Sequence, residues 1–307
     1  ILVPCLVFCL AVLAYAWVGY PLILAVATRF RRAAPAPGGA PSGSSRNVAI
    51  LLAAHNEEAV IRQRIENLLP LMLPGWRVFV ASDGSTDRTV QRAHEAAAGH
   101  DSIQVLDIRE RQGKTAILKK LVGAADAEIL VFTDANTRFD PDAVNRLLGH
   151  FDDSQVGGVC GRLIFEGAAE TEEGRYWHWE TFLKESESLL DSCLGANGAI
   201  YAIRRDLFWV AIPDNTIIDD FAIGMKIREQ GFRMLYDPLA VAREQFPARV
   251  ADEWRRRARI GAGDFQALHL CRSCLSPRYG LFAWMFWSHK VLRWFTPLVI
   301  LAMVLAA

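Results

Sequence analysis

Residues 127–136 read AEILVFTDAN, an apolar run that becomes polar without a Gly or Pro to mark a simple turn. The apolar and β-branched residues up to Thr133 are typical of a buried strand. Asp134 and Asn136 follow directly, two positions apart, at the point where this strand would end. A carboxylate and an amide in that position indicate a function at the end of the strand.

Three further apolar runs predict strands of the same kind: residues 48–54, 76–82 and 102–108. The segments between the runs have the period or the end signals of helices: residues 57–69, 85–99 and 114–122. Regular alternation of strands and helices favours an α/β domain whose mostly parallel sheet is covered on both faces.

Polar residues follow three of these strands in turn: His55 to Glu58, Asp83 to Ser85, and Asp134 to Asn136. Each set alone is typical of a helix cap or a turn. Open parallel sheets, however, bind ligands outside the carboxyl ends of their strands. Three sets along one edge therefore predict a ligand site.

The first 28 residues contain no charged side chain and are long enough to cross a bilayer as a helix. Arg29, Arg31 and Arg32 follow, and by the positive-inside bias they put the rest of the chain in the cytoplasm. Residues 33–45 are rich in Ala, Pro, Gly and Ser, a composition typical of a flexible linker.

The other end of the chain combines aromatic and basic residues over 281–294, as at a membrane interface. The apolar run after it is too short to span a bilayer alone, so we expect a truncated membrane segment. The predicted organisation is then a transmembrane helix, a linker, a cytoplasmic catalytic domain, and an interfacial helix with the start of a membrane segment: residues 1–28, 29–46, 47–270 and 271–307.

Composition argues against several other classes. The 34 basic and 34 acidic residues give a formal net charge of +0, so no general attraction to nucleic acid is expected. The six cysteines do not indicate a disulfide framework in a reducing compartment. Cys271 and Cys274 form one CxxC, but no second pair or well-spaced His completes a zinc site.

Four segments in order, AAHNEE, SDGSTD, FTDAN and IIDDF, resemble the family 2 glycosyltransferases, in particular the membrane-embedded branch with cellulose, chitin and hyaluronan synthases. The resemblance covers roughly residues 46–270 and the flanking apolar segments. It implies a GT-A-like nucleotide-binding domain flanked by transmembrane and interfacial helices.

The resemblance also implies how a nucleotide sugar is bound. Asp83 matches the aspartate that holds the base, and Asp134 lies near the ribose and the metal. Asn136 takes the place of a direct ligand to Mg²⁺ or Mn²⁺ that is usually Asp, so weaker metal affinity is expected. His55 and Glu57 belong to the same donor site.

Lys114 has two interpretations. It adds a cation near the diphosphate or the base, or it is an exposed lysine at the start of a helix.

Asp219 and Asp220 follow an apolar pair and begin a predicted helix. Acids in this position also complement a helix dipole without any chemical role. In the family a carboxylate here accepts the proton of the attacking hydroxyl. We expect Asp220 to be that base, with Asp219 beside it, and direct displacement to invert the anomeric configuration.

Two segments are expected to contact the acceptor or the diphosphate. One is a Gly-rich loop with Gly195, Asn197 and Gly198, although a plain tight turn explains it equally well. The other resembles the family's QxxRW, with Glu253, Arg256 and Arg257 at the positions of Gln, Arg and Trp.

The arginine of that motif is kept and the Trp is lost, although a basic membrane-facing helix is the alternative. An arginine at residue 257 favours an anionic group, which predicts a lipid-linked or short acceptor and few sugars added per encounter.

The expected activity is metal-dependent, inverting transfer of a hexose or N-acetylhexosamine, from a nucleotide sugar that is UDP-linked, to a lipid or glycan at the cytoplasmic membrane face. Two alternatives stay open. One is a nucleotidyltransferase that makes nucleotide sugars. The other is an inactive membrane partner that binds nucleotide or glycan, which Asn136 and the lost Trp favour.

Overall fold

The computed structural model describes residues 2–31, 46–167, 172–245 and 250–306, so most of the predicted linker lies outside the described residues. The strands are β1 Val48–Ala54, β2 Arg77–Asp83, β3 Ile103–Ile108, β4 Ile129–Thr133, β5 Arg138–Phe139, β6 Val156–Glu166, β7 Tyr201–Arg204 and β8 Arg233–Gln245.

The helices are α1 Leu2–Ala14, α2 Tyr20–Thr28, α3 Ile61–Leu68, α4 Thr89–Ala97, α5 Lys114–Ala124, α6 Ala143–Gly149, α7 Glu172–Leu190, α8 Asp219–Glu229, α9 Val250–Leu270, α10 Leu281–Met285, α11 Leu292–Trp294 and α12 Thr296–Ala306.

These strands form one sheet in the order β3-β2-β1-β4-β7-β6-β8-β5. The first four strands along the chain are parallel to one another, and a helix follows each of β1, β2 and β3, as the alternation predicts. Their side chains alternate between two cores. Ala49 and Leu51 pack on one face of the sheet, and Val48, Ile50 and Leu52 pack on the other. Burial on both faces explains why these runs are continuously apolar.

The second half of the sheet is mixed. β7 is antiparallel to β4 and β6, whereas β8 runs parallel to β6 and antiparallel to β5. Since β4 and β7 run in opposite directions, the carboxyl end of β4 meets the segment that leads into β7. That geometry sets the Gly-rich loop beside Asp134.

The N-terminal helices form one continuous element, Val3–Thr28, that is long and apolar enough to cross a membrane, with a mean hydropathy of 2.1. Near the other end, Leu281–Trp294 and Thr296–Leu305 pass the same test together but meet at an angle of 53°. A buried core helix of a soluble protein and an N-terminal signal sequence have the same length and apolar composition as a membrane helix.

Both end segments pack on α7. The ring of Trp17 stacks on Trp179, with centroids 5.5 Å apart, and the Arg293 guanidinium lies 4.6 Å and 4.5 Å from these two rings. Arg293 Nη1 also donates to Glu180 Oε1 at 2.6 Å. Helix α7 and the two end segments therefore share one set of contacts.

A buried polar group lies deeper in this junction. Tyr20 Oη donates to Glu187 Oε1 at 2.6 Å, and His289 Nδ1 lies 2.6 Å from the same oxygen. All three residues are fully buried. The other oxygen, Glu187 Oε2, has no hydrogen-bond partner among the described residues. Loss of either partner would therefore leave buried charge poorly compensated.

Candidate functional site

The loops after β1 and β2 are bonded to each other. Asn56 has a φ of 54°, which its short polar side chain tolerates. Its backbone N–H donates to Ser85 Oγ at 3.1 Å, and its Oδ1 accepts from Thr86 N at 2.8 Å. The first two polar sets predicted from the sequence thus lie side by side at the carboxyl edge of the sheet.

Asp83 ends β2 and is buried. Its Oδ1 accepts from Gln112 N at 2.6 Å, and its Oδ2 accepts from Gly113 N at 2.9 Å. These bonds hold the loop before α5 against the end of β2. Each carboxylate oxygen has a second lone pair, so Asp83 keeps the capacity to accept from a ligand N–H.

His55 is fixed at the same edge. Its Nδ1 lies 2.6 Å from the Asp83 backbone carbonyl oxygen. Because a carbonyl only accepts, Nδ1 carries the hydrogen in this contact. The ring therefore has a defined orientation at the edge of the cavity.

Lys114 is the first residue of α5 and reaches the end of β4. Its Nζ lies 2.6 Å from Asp134 Oδ1. Burial acts to lower the pKa of Lys114, but the charges of Asp134 and Asp219 outweigh burial and raise it. Lys114 is therefore a cation that contacts Asp134 at the cavity, although its side chain, at the start of α5, stays partly exposed.

Three side-chain groups converge at Gly198. A Cβ at this residue would lie 3.3 Å from Asp220 Oδ2, 3.5 Å from Lys114 Nζ and 3.6 Å from Asp134 Oδ2. The Gly-rich loop thus approaches both acidic sets and the lysine at one point. Any larger residue at 198 would occupy the space among them.

Asp219, next to Asp220, is buried at the start of α8. Its Oδ2 has no hydrogen-bond partner among the described residues. Burial raises the pKa of Asp219 to about 6, Asp220 and Asp134 add to the rise, and Lys114 opposes it. The pair thus combines a half-buried carboxylate with a buried one that resists ionisation.

The acidic pair is held by contact between glycines. Gly195 has a φ of +75°, and a Cβ there would lie 2.5 Å from Phe221 Cδ2. A Cβ at Gly224 would lie 2.8 Å from the backbone of Gly195. The Gly-rich loop therefore packs directly on the first turns of α8, which is more than a plain tight turn requires.

Asn197, in the same loop, is oriented by two contacts. Its Nδ2 donates to the Gly161 carbonyl at 2.9 Å, and its Oδ1 accepts from Lys184 Nζ. Burial would lower the pKa of Lys184, but surrounding negative groups, including Glu180 and Asp220, raise it. The sequence interpretation did not include Lys184, because the segment around it carries no motif.

The oxygen atoms at the carboxyl end of β4 are of the kind that a hard cation prefers. Asp134 and Asn136 line the same cavity, and Asn136 is exposed. In the described part of the chain, no group of three His, Cys, Asp or Glu forms a complete metal cage. Mg²⁺ is usually held by one or two carboxylates and by substrate phosphates, so a partial oxygen set fits this ion.

Two further acids border this oxygen set. Burial and the charge of Asp134 raise the pKa values of Glu57 and Glu244. The Thr137 hydroxyl donates to Glu244 Oε1 at 2.7 Å and partly offsets the rise. Glu244 was not singled out from the sequence, because the strand that carries it, β8, pairs only with distant segments.

A single cavity of about 870 Å³ connects these groups. Its lining includes every described candidate except Gly195: His55, Glu57, Asp83, Lys114, Asp134, Asn136, Asn197, Asp219, Asp220, Arg256 and Arg257. The cavity extends beyond them toward α7 and α9, where Tyr176, Trp177 and Glu180 lie. These residues carry no motif, so sequence reasoning missed them.

Helix α9 turns one face to this cavity. Arg256 and Ile260 are half-buried and line it, one turn apart, and Asp264 follows one turn later. Arg259 also lines it. Of the three residues aligned with QxxRW, Arg256 and Arg257 reach the cavity, and the side chain of Glu253 lies outside the described residues.

Comparison with known families matches the profile described as Glycosyl transferase family 2 to residues 49–211. Among curated relatives, a poly-beta-1,6-N-acetyl-D-glucosamine synthase from Staphylococcus aureus (strain COL) is 25% identical over 233 residues, covering 72% of this chain and 55% of the relative. The probable glycosyltransferase YdaM from Bacillus subtilis (strain 168) is 27% identical over 236 residues, covering 71% and 55%. The chain spans about half the length of these relatives.

Two solved structures share the fold. The mannosyltransferase PcManGT from Pyrobaculum calidifontis, in complex with GDP-Man and Mn²⁺, gives a TM-score of 0.78 at 22% identity, covering 98% of this chain and 85% of that one. Glucosyl-3-phosphoglycerate synthase from Mycobacterium tuberculosis, with Mn²⁺ and UDP, gives 0.52 at 21% identity, covering 76% and 85%. The predicted GT-A-like α/β fold is confirmed.

Proposed function

Because the chain belongs to glycosyl transferase family 2, we propose that it transfers a hexose or N-acetylhexosamine from a nucleotide sugar to a lipid or glycan acceptor. Family membership confirms the enzyme class predicted from the sequence, a glycosyltransferase. The proposal also assigns a donor, a metal, a general base and a membrane setting.

The observation that carries the proposal is the convergence at Gly198. Asp220 Oδ2, Lys114 Nζ and Asp134 Oδ2 all lie within 3.6 Å of one Cβ position there. Transfer of a glycosyl group needs a proton acceptor for the nucleophile and positive charge for the leaving diphosphate. Both kinds of group meet at this point, next to a cavity large enough for a nucleotide sugar.

Asp83 supports a nucleotide donor at the inner end of the cavity. It is buried, and its carboxylate retains lone pairs that are able to accept from the N–H edge of a base. We assign UDP as the nucleotide, which uracil's single ring N–H suits. A relative named as a poly-beta-1,6-N-acetyl-D-glucosamine synthase supports an N-acetylhexosamine as the sugar.

The cofactor in this proposal is a divalent cation. Asp134 and Asn136 would hold Mg²⁺ or Mn²⁺, which neutralises diphosphate charge when bound. Both structural neighbours contain Mn²⁺, which supports a divalent metal without choosing between the two ions. Lys114 supplies a second positive charge that is independent of the metal.

Asp220 acts as the general base. Its Oδ2 is at the meeting point of the donor acids and the Gly-rich loop, where the acceptor hydroxyl would approach. Proton transfer from that hydroxyl to the carboxylate makes the oxygen a competent nucleophile. Direct displacement at the anomeric carbon then inverts its configuration, so an α-linked donor gives a β-linked product.

The membrane is the proposed setting. Residues 1–28 form the anchor, 29–46 the linker, 47–270 the cytoplasmic catalytic domain, and 271–307 an interfacial helix followed by an apolar membrane segment. The apolar helix Val3–Thr28, followed by arginines, supports this orientation. The cavity also reaches Lys290 in the bent end segment, which supports an acceptor delivered from the membrane side.

A donor-hydrolysis screen tests the proposal. The full chain in detergent is incubated with UDP-, GDP- and ADP-linked hexoses and N-acetylhexosamines, with Mg²⁺ or Mn²⁺, and release of nucleoside diphosphate is measured. We expect a UDP sugar to release UDP, and we expect this release to require the metal. Pyrophosphate release from a nucleoside triphosphate and a sugar phosphate would instead establish a nucleotidyltransferase. Nucleotide binding without turnover of any donor would establish an inactive binding partner.

A further inference from the structure

The outer half of the cavity contains a tryptophan that no motif assigns. Trp177 lies on α7, is half-buried, and lines the same cavity as Asp134 and Asp220. It comes from a helix that precedes the Gly-rich loop in the chain. Its place in the cavity is therefore a product of the fold, and sequence spacing does not reveal it.

Packing holds this ring in place. The Phe165 ring lies 5.1 Å from Trp177, centroid to centroid, at an angle of 58°. The Arg256 guanidinium carbon lies 5.4 Å from the Phe165 ring and 5.8 Å from the Trp177 ring. Residues of β6, α7 and α9 thus form one aromatic and cationic group, and attraction between a cation and ring faces stabilises it.

This group borders the reacting centre. Glu244, Arg256 and Trp177 line the same cavity as Asp134 and Asp220, and Arg256 lies against the Trp177 ring. An acceptor whose hydroxyl reaches Asp220 would occupy this cavity.

The part of α9 that lines the cavity supplies no aromatic side chain: Arg256, Arg257, Arg259, Ile260, Gly261 and Asp264. Among the described residues, the aromatic side chains in the lining are Tyr176, Trp177 and Phe221. Trp177 is therefore the indole ring that the cavity offers to a ligand.

We propose that Trp177 is the platform on which a sugar ring of a glycan acceptor stacks, so that α7 supplies the aromatic surface that the cavity-lining part of α9 does not. Trp177 is a specificity-determining residue for the acceptor and has no part in donor chemistry. This inference rests on the proposed glycosyl transfer and narrows its acceptor to a glycan. The absence of the motif Trp was an argument for a short product, and an aromatic platform at Trp177 removes that argument.

The experiment compares Trp177→Ala and Trp177→Phe in the full chain in detergent, with a β-linked N-acetylglucosamine tetramer as the acceptor probe. Binding of the tetramer and of UDP is measured by calorimetry, and turnover by UDP release with and without the tetramer. We expect Trp177→Ala to weaken tetramer binding and raise its KM by about 10-fold or more, the worth of an aromatic contact plus its buried area. UDP binding and hydrolysis of the donor without acceptor stay unchanged, and Trp177→Phe recovers most of the loss.

Two further variants sharpen the result. Trp254→Ala removes an exposed Trp from α9 and should leave tetramer binding unchanged. Ile260→Trp, added to Trp177→Ala, should restore part of the binding, because Ile260 lines the same cavity and the change returns an aromatic ring to it. Equal tetramer binding by the wild type and Trp177→Ala would overturn the proposal, as would a parallel loss of UDP binding. The binding measurement needs no turnover. If the protein binds the tetramer through Trp177 but uses no donor, the proposed function is refuted and the role of Trp177 is not.

Discussion

Asp220 is the residue on which the proposed chemistry depends most directly. Its carboxylate meets Lys114 and Asp134 at Gly198. We expect Asp220→Asn to keep UDP binding and to lose transfer by about 10²- to 10⁴-fold, the usual contribution of a general base. Single-turnover kinetics at saturating donor, with UDP affinity measured in parallel, checks this. Near-normal turnover in the variant would remove Asp220 from the mechanism.

The ionisation of Asp219 makes the stability of the folded protein depend on pH. Burial raises its pKa from 3.8 to about 6, so between these values the native state holds a proton that the unfolded state has released. The free energy of unfolding therefore falls as pH rises through this window, by about 3 kcal/mol for a shift of this size. Asp219→Asn should raise the unfolding temperature at pH 8 and have little effect near pH 4. The control is Asp101→Asn, at an exposed position. Equal gains at both pH values would show that ionisation is not the cause.

Asn136 controls how strongly the metal is held in the proposed site. Asn136→Asp adds a carboxylate to the oxygen set and should lower the Mn²⁺ concentration needed for half-maximal donor turnover. Mn²⁺ binding in the presence of UDP, followed by electron paramagnetic resonance, gives a second readout. Asn215→Asp adds the same charge in an exposed loop as a control. Unchanged titration by both measurements would put residue 136 outside the metal shell.

At the scale of elements, the contact between the Gly-rich loop and α8 sets the position of the acidic pair. A Cβ at Gly224 would meet the backbone of Gly195 at 2.8 Å, so the two elements must separate. Gly224→Ala should cost about 1–3 kcal/mol of stability and reduce turnover. Gly123→Ala is the matched control, because nothing lies within 4 Å of its Cβ and alanine favours a helix by about 0.5–1 kcal/mol. Thermal unfolding and UDP release measure both effects, and an unchanged Gly224→Ala enzyme would mean that the loop is free to move.

Local pattern predicts some elements well and others poorly. β1 was predicted at its observed bounds, and β2, β3 and β4 within two residues at each end. β1, β2 and β4 are buried on both faces and leave continuous apolar runs, whereas the edge strand β3 has exposed polar residues between its apolar ones. The polar sets at the strand ends were predicted because polar residues follow these apolar runs directly, and the structure brings the sets together.

Other elements depend on contacts between distant parts of the chain. β6 pairs with β8 across a register shift, and its partner residues lie more than 70 positions away. Trp177, Glu180 and Lys184 enter the cavity because α7 crosses it, and Ile260 because α9 packs on Ile217 and Ile218 through Gly263. Such placement follows from tertiary packing, which no periodicity in one segment encodes.

For the whole molecule, the buried contacts of Tyr20, Glu187 and His289 join the two end segments to the catalytic half. Tyr20→Phe removes the donor to Glu187 Oε1 and leaves a buried carboxylate with one partner fewer, at a cost of about 1–3 kcal/mol. Thermal unfolding in detergent should show the loss. Tyr279→Phe, which removes only an exposed contact with Arg278, should change stability by less than about 0.5 kcal/mol. Equal stability of both variants would mean that the N-terminal helix does not support the catalytic half.

The same three residues impose an order on synthesis. Tyr20 and Glu187 are 167 residues apart, and Glu187 and His289 a further 102. At roughly 5–20 residues per second, the ribosome delivers His289 on the order of 10–50 s after Tyr20. The first helix is therefore made long before its partners, and Glu187 lacks its imidazole partner until His289 has left the ribosome. A chain interrupted before residue 289 leaves this buried carboxylate with Tyr20 alone.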